Sequence, residues 1–313
     1  MSALTRYGSF WGSIPETAGN VYWVAPSASY TVAGQAYVAS DDNDGLDPRR
    51  AKLTLASAIS AATANAGDVV VLLPGAHSWA ASVAMSKAGI TVMGLPGGKG
   101  NPVYKRASVT LSASDEIINV TAADIEIAHL TFIPVTQKAA IDFTAAGDRL
   151  YVHDCAFDLF TAAAHTSTKG IAATAATINA DRIVIENCYF ESDGAQGEGV
   201  DVGDSNNYIV RGCTFVVNAA GTWARAALAA GVTNQVGLWQ SNTFLAYAGA
   251  TMTDGIIGSD LTSASSVAFI GNFFGDDVTV PIDDFGSGDA YIAENYKGSV
   301  GGGSGGVLIT AIT

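Results

Sequence analysis

The sequence predicts an all-β fold: a right-handed, single-stranded parallel β-helix of about 8–9 coils, with a capping helix at its N-terminal end. Three observations predict it. A short apolar pattern recurs seven times between Ile125 and Lys297. The residue between its two halves is mostly of a type that tolerates a backbone corner. No segment after Ala66 carries the helical period of about 10–15 residues that a run of βαβ units requires.

With the closing aromatic as position 0, the first sets are Ile125, Ile127, His129, Leu130, Phe132 and Leu150, Val152, Asp154, Cys155, Phe157. Next come Ile183, Ile185, Asn187, Cys188, Phe190 and Tyr208, Val210, Gly212, Cys213, Phe215. Gly237, Trp239, Ser241, Asn242, Phe244 and Val267, Phe269, Gly271, Asn272, Phe274 follow, with a degenerate copy Ala290, Ile292, Glu294, Asn295, Lys297. The spacings are 25, 33, 25, 29, 30 and 23 residues, a period that marks stacked coils. Positions −7 and −5 alternate as a strand, and so do −2 and 0, but −5 and −2 differ by an odd number. Only a corner at position −3 keeps all four side chains inward. Five of the seven residues there are Gly, Asn, Asp or His. Stacking about 4.8 Å apart then makes a phenylalanine column, and beside it a column of Cys155, Cys188, Cys213, Asn242, Asn272 and Asn295. The asparagines can chain amides from rung to rung. The parallel vectors and odd number of the cysteines favour buried thiols over a disulfide or a metal site.

Met1 to Tyr37 is an aromatic-rich arm containing a strand, Val21–Val24; it either packs on the solenoid or anchors the protein to a partner. Asp41 to Pro48 is a turn cluster whose acidic residues miss the calcium-loop spacing. Leu53 to Ala66 is an amphipathic helix with Leu55, Ala58, Ile59 and Ala62 on one stripe, expected to cover the open end of the first coil. Val69–Leu73 is a buried strand, and Ile90, Val92 and Leu95 form an early, weaker coil. Short second strands follow at Ile141–Phe143, Val200–Val202, Ile256–Ile257 and Ile282, so the solenoid spans residues 38–297. Residues 298–313 are a Gly-Ser linker and a strand, Val307 to Ile312, that wants an edge on the last coil or on another subunit.

The chain of 313 residues carries a net charge of −14, which argues against nucleic acid and anionic membrane surfaces as partners. The longest aliphatic run, Val69–Leu73, is far too short to span a membrane, and Met1 to Asn20 lacks the apolar core of a secretory signal. Only 14% of residues are charged and 49% are apolar. Either part of the outer surface is covered in an assembly, or the core is large and alanine-rich.

Together the turn Asp44-Gly45-Leu46-Asp47-Pro48, the helix, the segment Gly67–Gly75 and the repeated coils resemble the pectin-lyase-like right-handed parallel β-helix family. Within it the chain looks most like bacteriophage virion proteins of the tailspike and capsid-decoration type. That resemblance implies a homotrimer made in the host cytoplasm and standing on a virion, in contact with other virion proteins such as the major capsid protein. Family members that cleave pectate use calcium-binding aspartates with an arginine, and no such cluster falls in register here. Of the polygalacturonase motifs only paired aspartates occur, Asp276–Asp277 and Asp283–Asp284.

No catalytic, cofactor or metal residue is therefore assigned from sequence. The best carboxylate pair is Asp254 with Asp284, both ten places after the aromatic of consecutive coils, as a glycosidic acid and nucleophile would require. Asp142 shares the offset several coils away, and Asp201, one place later, is expected to be solvated. His77, His129, His153 and His165 show no ligand spacing, and Trp79, Trp223 and Tyr247 are available for sugar stacking or loop packing. The expected function is a non-enzymatic virion structural protein. The alternatives are a tailspike-like depolymerase acting on host surface glycan and a carbohydrate-binding adhesin.

Overall fold

A computed structural model describes residues 19–95, 107–112, 115–134, 138–144, 146–159, 168–173, 180–192, 197–203, 205–217, 222–223, 227–228, 236–247, 250–257, 266–283, 289–298 and 307–309. The strands lie in three long, almost wholly parallel sheets, with successive coils paired rung on rung. The first sheet has ten strands, from Val21–Val24 and Val69–Leu72 through Tyr151–His153 and Tyr208–Arg211 to Asp289–Ala293. The second runs from Gly75–Trp79 through Phe132 and its counterparts to Asn295–Lys297. The third begins at Val83–Met85 and ends with Thr251–Ile257 and Val278–Asp283. This is a parallel β-helix, as the repeat predicts.

The corner falls where the residue pattern places it. All seven position −3 residues have positive φ: His129 56°, Asp154 52°, Asn187 52°, Gly212 63°, Ser241 54°, Gly271 65° and Glu294 56°. In the first six copies the four inward positions that flank the corner are buried, down to Trp239, Phe269 and Asn272 at 0% exposure, whereas Ile292 and Lys297 of the degenerate last copy are partly buried. A second left-handed corner, just before position −7, was not visible in the sequence: Asp124, Arg149, Arg182 and Asn207 have φ of 53–60°. Two of the four are arginines, which carry no turn signal.

Inside the solenoid the six phenylalanines stack in one column, with centroids 5.2, 4.6, 4.8, 4.7 and 4.8 Å apart and ring planes within 14°. Register extends the row downward through Val109 to His77. The early coil therefore differs from expectation. Ala107 and Val109 hold its second pair of inward positions, while Leu95 packs into a separate cluster outside the barrel. The chain between them, 96–106, lies outside the described residues.

Asn242, Asn272 and Asn295 chain as proposed. Asn272 Oδ1 accepts from the backbone N and the Nδ2 of Asn242 (both 3.0 Å), and Asn272 Nδ2 donates to Asn295 Oδ1 at 2.8 Å. The three cysteines are free, buried thiols, and burial pushes the Cys155 and Cys188 pKa values up, so they are inert column fillers. Large and small residues alternate where the first sheet would overfill. A Cβ on Gly237 would stand 2.2 Å from the Tyr208 ring, so glycine there makes room for the tyrosine that accepts from Trp239 Nε1 at 3.4 Å.

Two elements pack against the first coils. The helix is seven residues, Leu55–Ala61, shorter than the predicted 53–66, with Thr54 Oγ1 accepting from Ser57 N. Leu55, Ala58, Ile59 and Ala62 join the solenoid core, and the helix touches Val21–Val24, Val69–Leu72 and Val83–Met85. The hairpin Ser29–Val32/Gln35–Val38 and the turn at Pro48–Arg50 instead cover the outer face of the first sheet. There Trp23, Tyr30, Val71, Met93 and Leu95 form a second small core. The acidic turn is consumed by capping: Asp41 accepts from Leu53 N and Thr54 N, and Asp47 from Arg49 N. At the other end Val307–Ile309 pairs antiparallel with Asn295–Lys297, so the last coil of the same chain supplies its edge.

His77, at the foot of the phenylalanine row, is 2% exposed and donates Nε2–H to the Leu73 carbonyl at 2.8 Å. Burial holds its pKa below the ordinary 6.5. The unfolded chain then binds a proton in a range where the folded chain does not, so stability from this residue is full above about pH 6.5 and is lost as pH falls below it. His77→Gln, which keeps the donor but cannot titrate, is expected to flatten the loss of denaturant midpoint between pH 7 and pH 5. An unchanged slope would show that other groups set the acid limb.

Candidate functional site

The third sheet carries the polar surface that the sequence did not assemble. Its inward row is Ile118, Ile141, Ile171, Val200, Ile256 and Ile282. The adjoining outward row is Ala84, Asn119, Asp142, Ala172 and Asp201, and the backbone register continues through residues 228, 257 and 283. Alternation along each strand forces that split between core and solvent. Asp142 follows Asn119 by one rung. Asp201 follows Asp142 by two, about 10 Å along the axis, with the small Ala172 between them.

Beside this row, Glu116 Oε1 accepts from Asn119 Nδ2 at 3.0 Å, and Asn119 is the rung neighbour of Asp142. Burial raises the Glu116 pKa, reinforced by the neighbouring Asp115 and Asp142 charges. Asp115 is held low by its hydrogen bond with Glu116. Of the two, Glu116 therefore holds a proton more tightly than Asp115. Further along, Lys169 is ion-paired with Glu198 at 2.8 Å and with Asp201. Burial opposes its charge, but the Asp201 and Glu198 carboxylates outweigh that and hold the ammonium protonated. Asp201, expected to be solvated, is 7% exposed; it is bound to Lys169 and also accepts from Gly203 N at 3.0 Å.

The anticipated pair Asp254 and Asp284 does not come into register. Val280 is the residue beside Asp254, and Asp283 lies beside Ile257. Asp284 itself is outside the described residues, as are His165 and the side chain of Trp223. Asp276 and Asp277 are exposed in a turn. Trp79 faces the core, whereas Tyr247 is 51% exposed on the last coils. A cleft of about 470 Å³ near the N-terminal end, lined by Pro26, Thr54, His77 and Trp79 among others, has no carboxylate in its wall.

A second polar group lies on the outer face of the first sheet. His153 bridges Glu126 Oε1 (2.9 Å from Nε2) and Asp154 Oδ2 (2.8 Å from Nδ1), with His129 edge-on to it at 5.6 Å. Burial works against the imidazolium, but the two carboxylates dominate and raise its pKa to about 9.

No family model matches the chain, and no curated protein matches it either. Solved structures do. Pectin methylesterase PemA from Erwinia chrysanthemi is 13% identical over 96% of this chain and 94% of its own, with a TM-score of 0.56. A pectin methylesterase in complex with a hexasaccharide is 12% identical over 92% of each chain, at 0.57. A rhamnogalacturonan lyase is 15% identical over 83% of this chain and 75% of its own, at 0.52. At these identities the likeness is one of fold: these are parallel β-helix proteins, and so is this chain. The phage part of the expected resemblance draws no support from them.

Proposed function

We propose that this parallel β-helix binds an extended polysaccharide along the outer face of its third sheet and cleaves it by hydrolysis, with Glu116 as general acid and Asp142 as its carboxylate partner. One observation carries the reading: Glu116 is a half-buried carboxyl whose pKa is raised by burial and by the Asp115 and Asp142 charges, and it is bonded to Asn119, the rung neighbour of Asp142, on a long outer sheet face. Glycosidic cleavage needs that division between two acids. Glu116 gives its proton to the leaving oxygen while Asp142 attacks the anomeric carbon; water then releases the sugar with Glu116, now ionised, as base. Lys169 is held protonated between two carboxylates, so it is no base for β-elimination, and hydrolysis is favoured over a lyase reaction. Similar β-helices include a pectin methylesterase solved with a hexasaccharide, so a glycan on such a solenoid has precedent.

The test is incubation of the purified chain with a panel of bacterial surface and plant cell-wall polysaccharides. New reducing ends without the ultraviolet absorbance of an unsaturated product are expected. Absorbance would replace hydrolysis by elimination, and intact polymer across the panel would overturn the reading.

A second reading has its own observation. Phe273 and Tyr296, on adjacent rungs of the second sheet, are 41% and 45% exposed; Tyr247, just after the strand one rung before them, is 51% exposed. Such an exposed apolar patch favours an assembly, as in the homotrimeric, virion-borne spike or capsid decoration expected from sequence. Sedimentation equilibrium is expected to give the mass of three chains, reduced to one by Phe273→Ser with Tyr296→Ser. A single-chain mass for the unaltered protein removes this reading.

A further inference from the structure

We propose a transition-metal site on the first sheet, formed by His129, His153 and Asp154 and suited to zinc(II) or a similar first-row divalent ion. His129 and Asp154 occupy the same left-handed corner on successive coils, and His153 closes the strand that leads into the second of them. Stacking therefore brings together three residues whose ligand atoms all lie within 4.8 Å of one another. Bonds of about 2.0–2.2 Å to nitrogen and oxygen set the ligand atoms somewhat more than 3 Å apart, so His153 Nδ1 and Asp154 Oδ2, now 2.8 Å apart, would open slightly and His129 would close on them, both within reach of side-chain rotation.

The surroundings have the form that histidine ligands require. A metal-bound imidazole ordinarily gives its other N–H to a carboxylate, which fixes the ring and raises its basicity. Here Nδ1 of His153 faces Asp154 Oδ2 at 2.8 Å, and Nε2 faces Glu126 Oε1 at 2.9 Å. Glu126 is held in turn by Thr91 Oγ1 at 2.8 Å. Tyr151 stacks on the His153 ring at 4.3 Å, and its hydroxyl is anchored to Glu186 at 2.8 Å. The ion takes the Nδ1 lone pair in place of a proton, and Glu126 keeps its bond to Nε2. Two imidazoles and one carboxylate suit zinc, cobalt or nickel; calcium, which takes six or more oxygens, is a poor fit. Three protein ligands leave a position for water or a polymer hydroxyl. All three residues are half-buried, so an ion can reach them. The site is independent of the glycosidic reading, being on another sheet.

Titration calorimetry of the whole chain with zinc(II), and visible absorbance with cobalt(II), test it. One ion per chain is expected, with a four-coordinate cobalt spectrum. His129→Asn and Asp154→Asn should each weaken binding by more than tenfold. Both should fold, because Asn187 holds the same corner one rung on with φ 52°; circular dichroism and melting temperature check this. Glu126→Gln should weaken binding by about 10–100-fold. Absence of stoichiometric binding, or equal affinity in the His129→Asn, Asp154→Asn double variant, would overturn the proposal.

Discussion

Phe215→Ala is expected to lower the unfolding free energy by about 3–5 kcal/mol, the largest single effect in the solenoid. Phe215 is fully buried and stacks face to face on both sides, 4.8 Å from Phe190 and 4.7 Å from Phe244, with both ring angles at 5°. Truncation removes the transfer energy of the ring and also one contact face from each neighbour. Little collapse can refill the space, since rung spacing is set by backbone hydrogen bonds on all three sheets. Phe132 supplies the internal comparison. It has a phenylalanine on one side only, at 5.2 Å and 14°, and Val109 on the other. Phe132→Ala should therefore cost less, the difference reflecting about 0.5–1.5 kcal/mol for one aromatic pair. Denaturant unfolding of both variants measures this. A Phe215→Ala cost below about 1 kcal/mol would mean that the column fills space without organising the coils.

Glu116→Gln is expected to abolish most of the proposed hydrolysis, by about 10²–10⁴-fold in kcat, the usual contribution of a positioned proton donor. Glutamine keeps the shape and can still accept from Asn119 Nδ2, so binding and folding should persist. The pH profile separates this from a merely structural role. Because burial and the Asp115 and Asp142 charges raise the Glu116 pKa, its acid form survives to higher pH than that of an ordinary carboxyl. Activity should fall as pH rises through that raised value, and the alkaline limb should vanish from the residual activity of the variant. Undiminished turnover in Glu116→Gln, measured as reducing ends, would remove Glu116 from the role while leaving cleavage elsewhere on the surface open to the same assay.

Much of the architecture was legible because its signal is local. Whether the corner residue is glycine or Glu294, its place between two odd-spaced apolar pairs leaves the chain one way to bury all four side chains. The Asn242–Asn272–Asn295 column was likewise readable, since each sits two places before the ring position. Other features were not readable from composition or spacing. Arg149 and Arg182 adopt the second corner without being turn residues. His77 and Val109 continue the aromatic row without being aromatic. Leu95 fits the inward spacing by count alone, but it is Ala107 that stands in register with Leu130.

The site was the part most out of reach, and one comparison shows why. Asp254 lies ten residues beyond Phe244, but its partner on the next coil, Val280, lies only six beyond Phe274. The connection between the second and third sheets changes length from coil to coil, so an offset counted from the aromatic stops measuring position once that connection is crossed. The sequence by itself determined the coil, its first corner and the columns within it, because strand alternation and a one-residue bend leave no freedom between positions −7 and 0. Only the tertiary structure decided which polar groups meet, bringing Asn119, which holds Glu116, beside Asp142, Lys169 beside Asp201 and His129 beside Asp154. Those contacts run between coils, where hydrogen-bond register rather than distance along the chain sets what is adjacent.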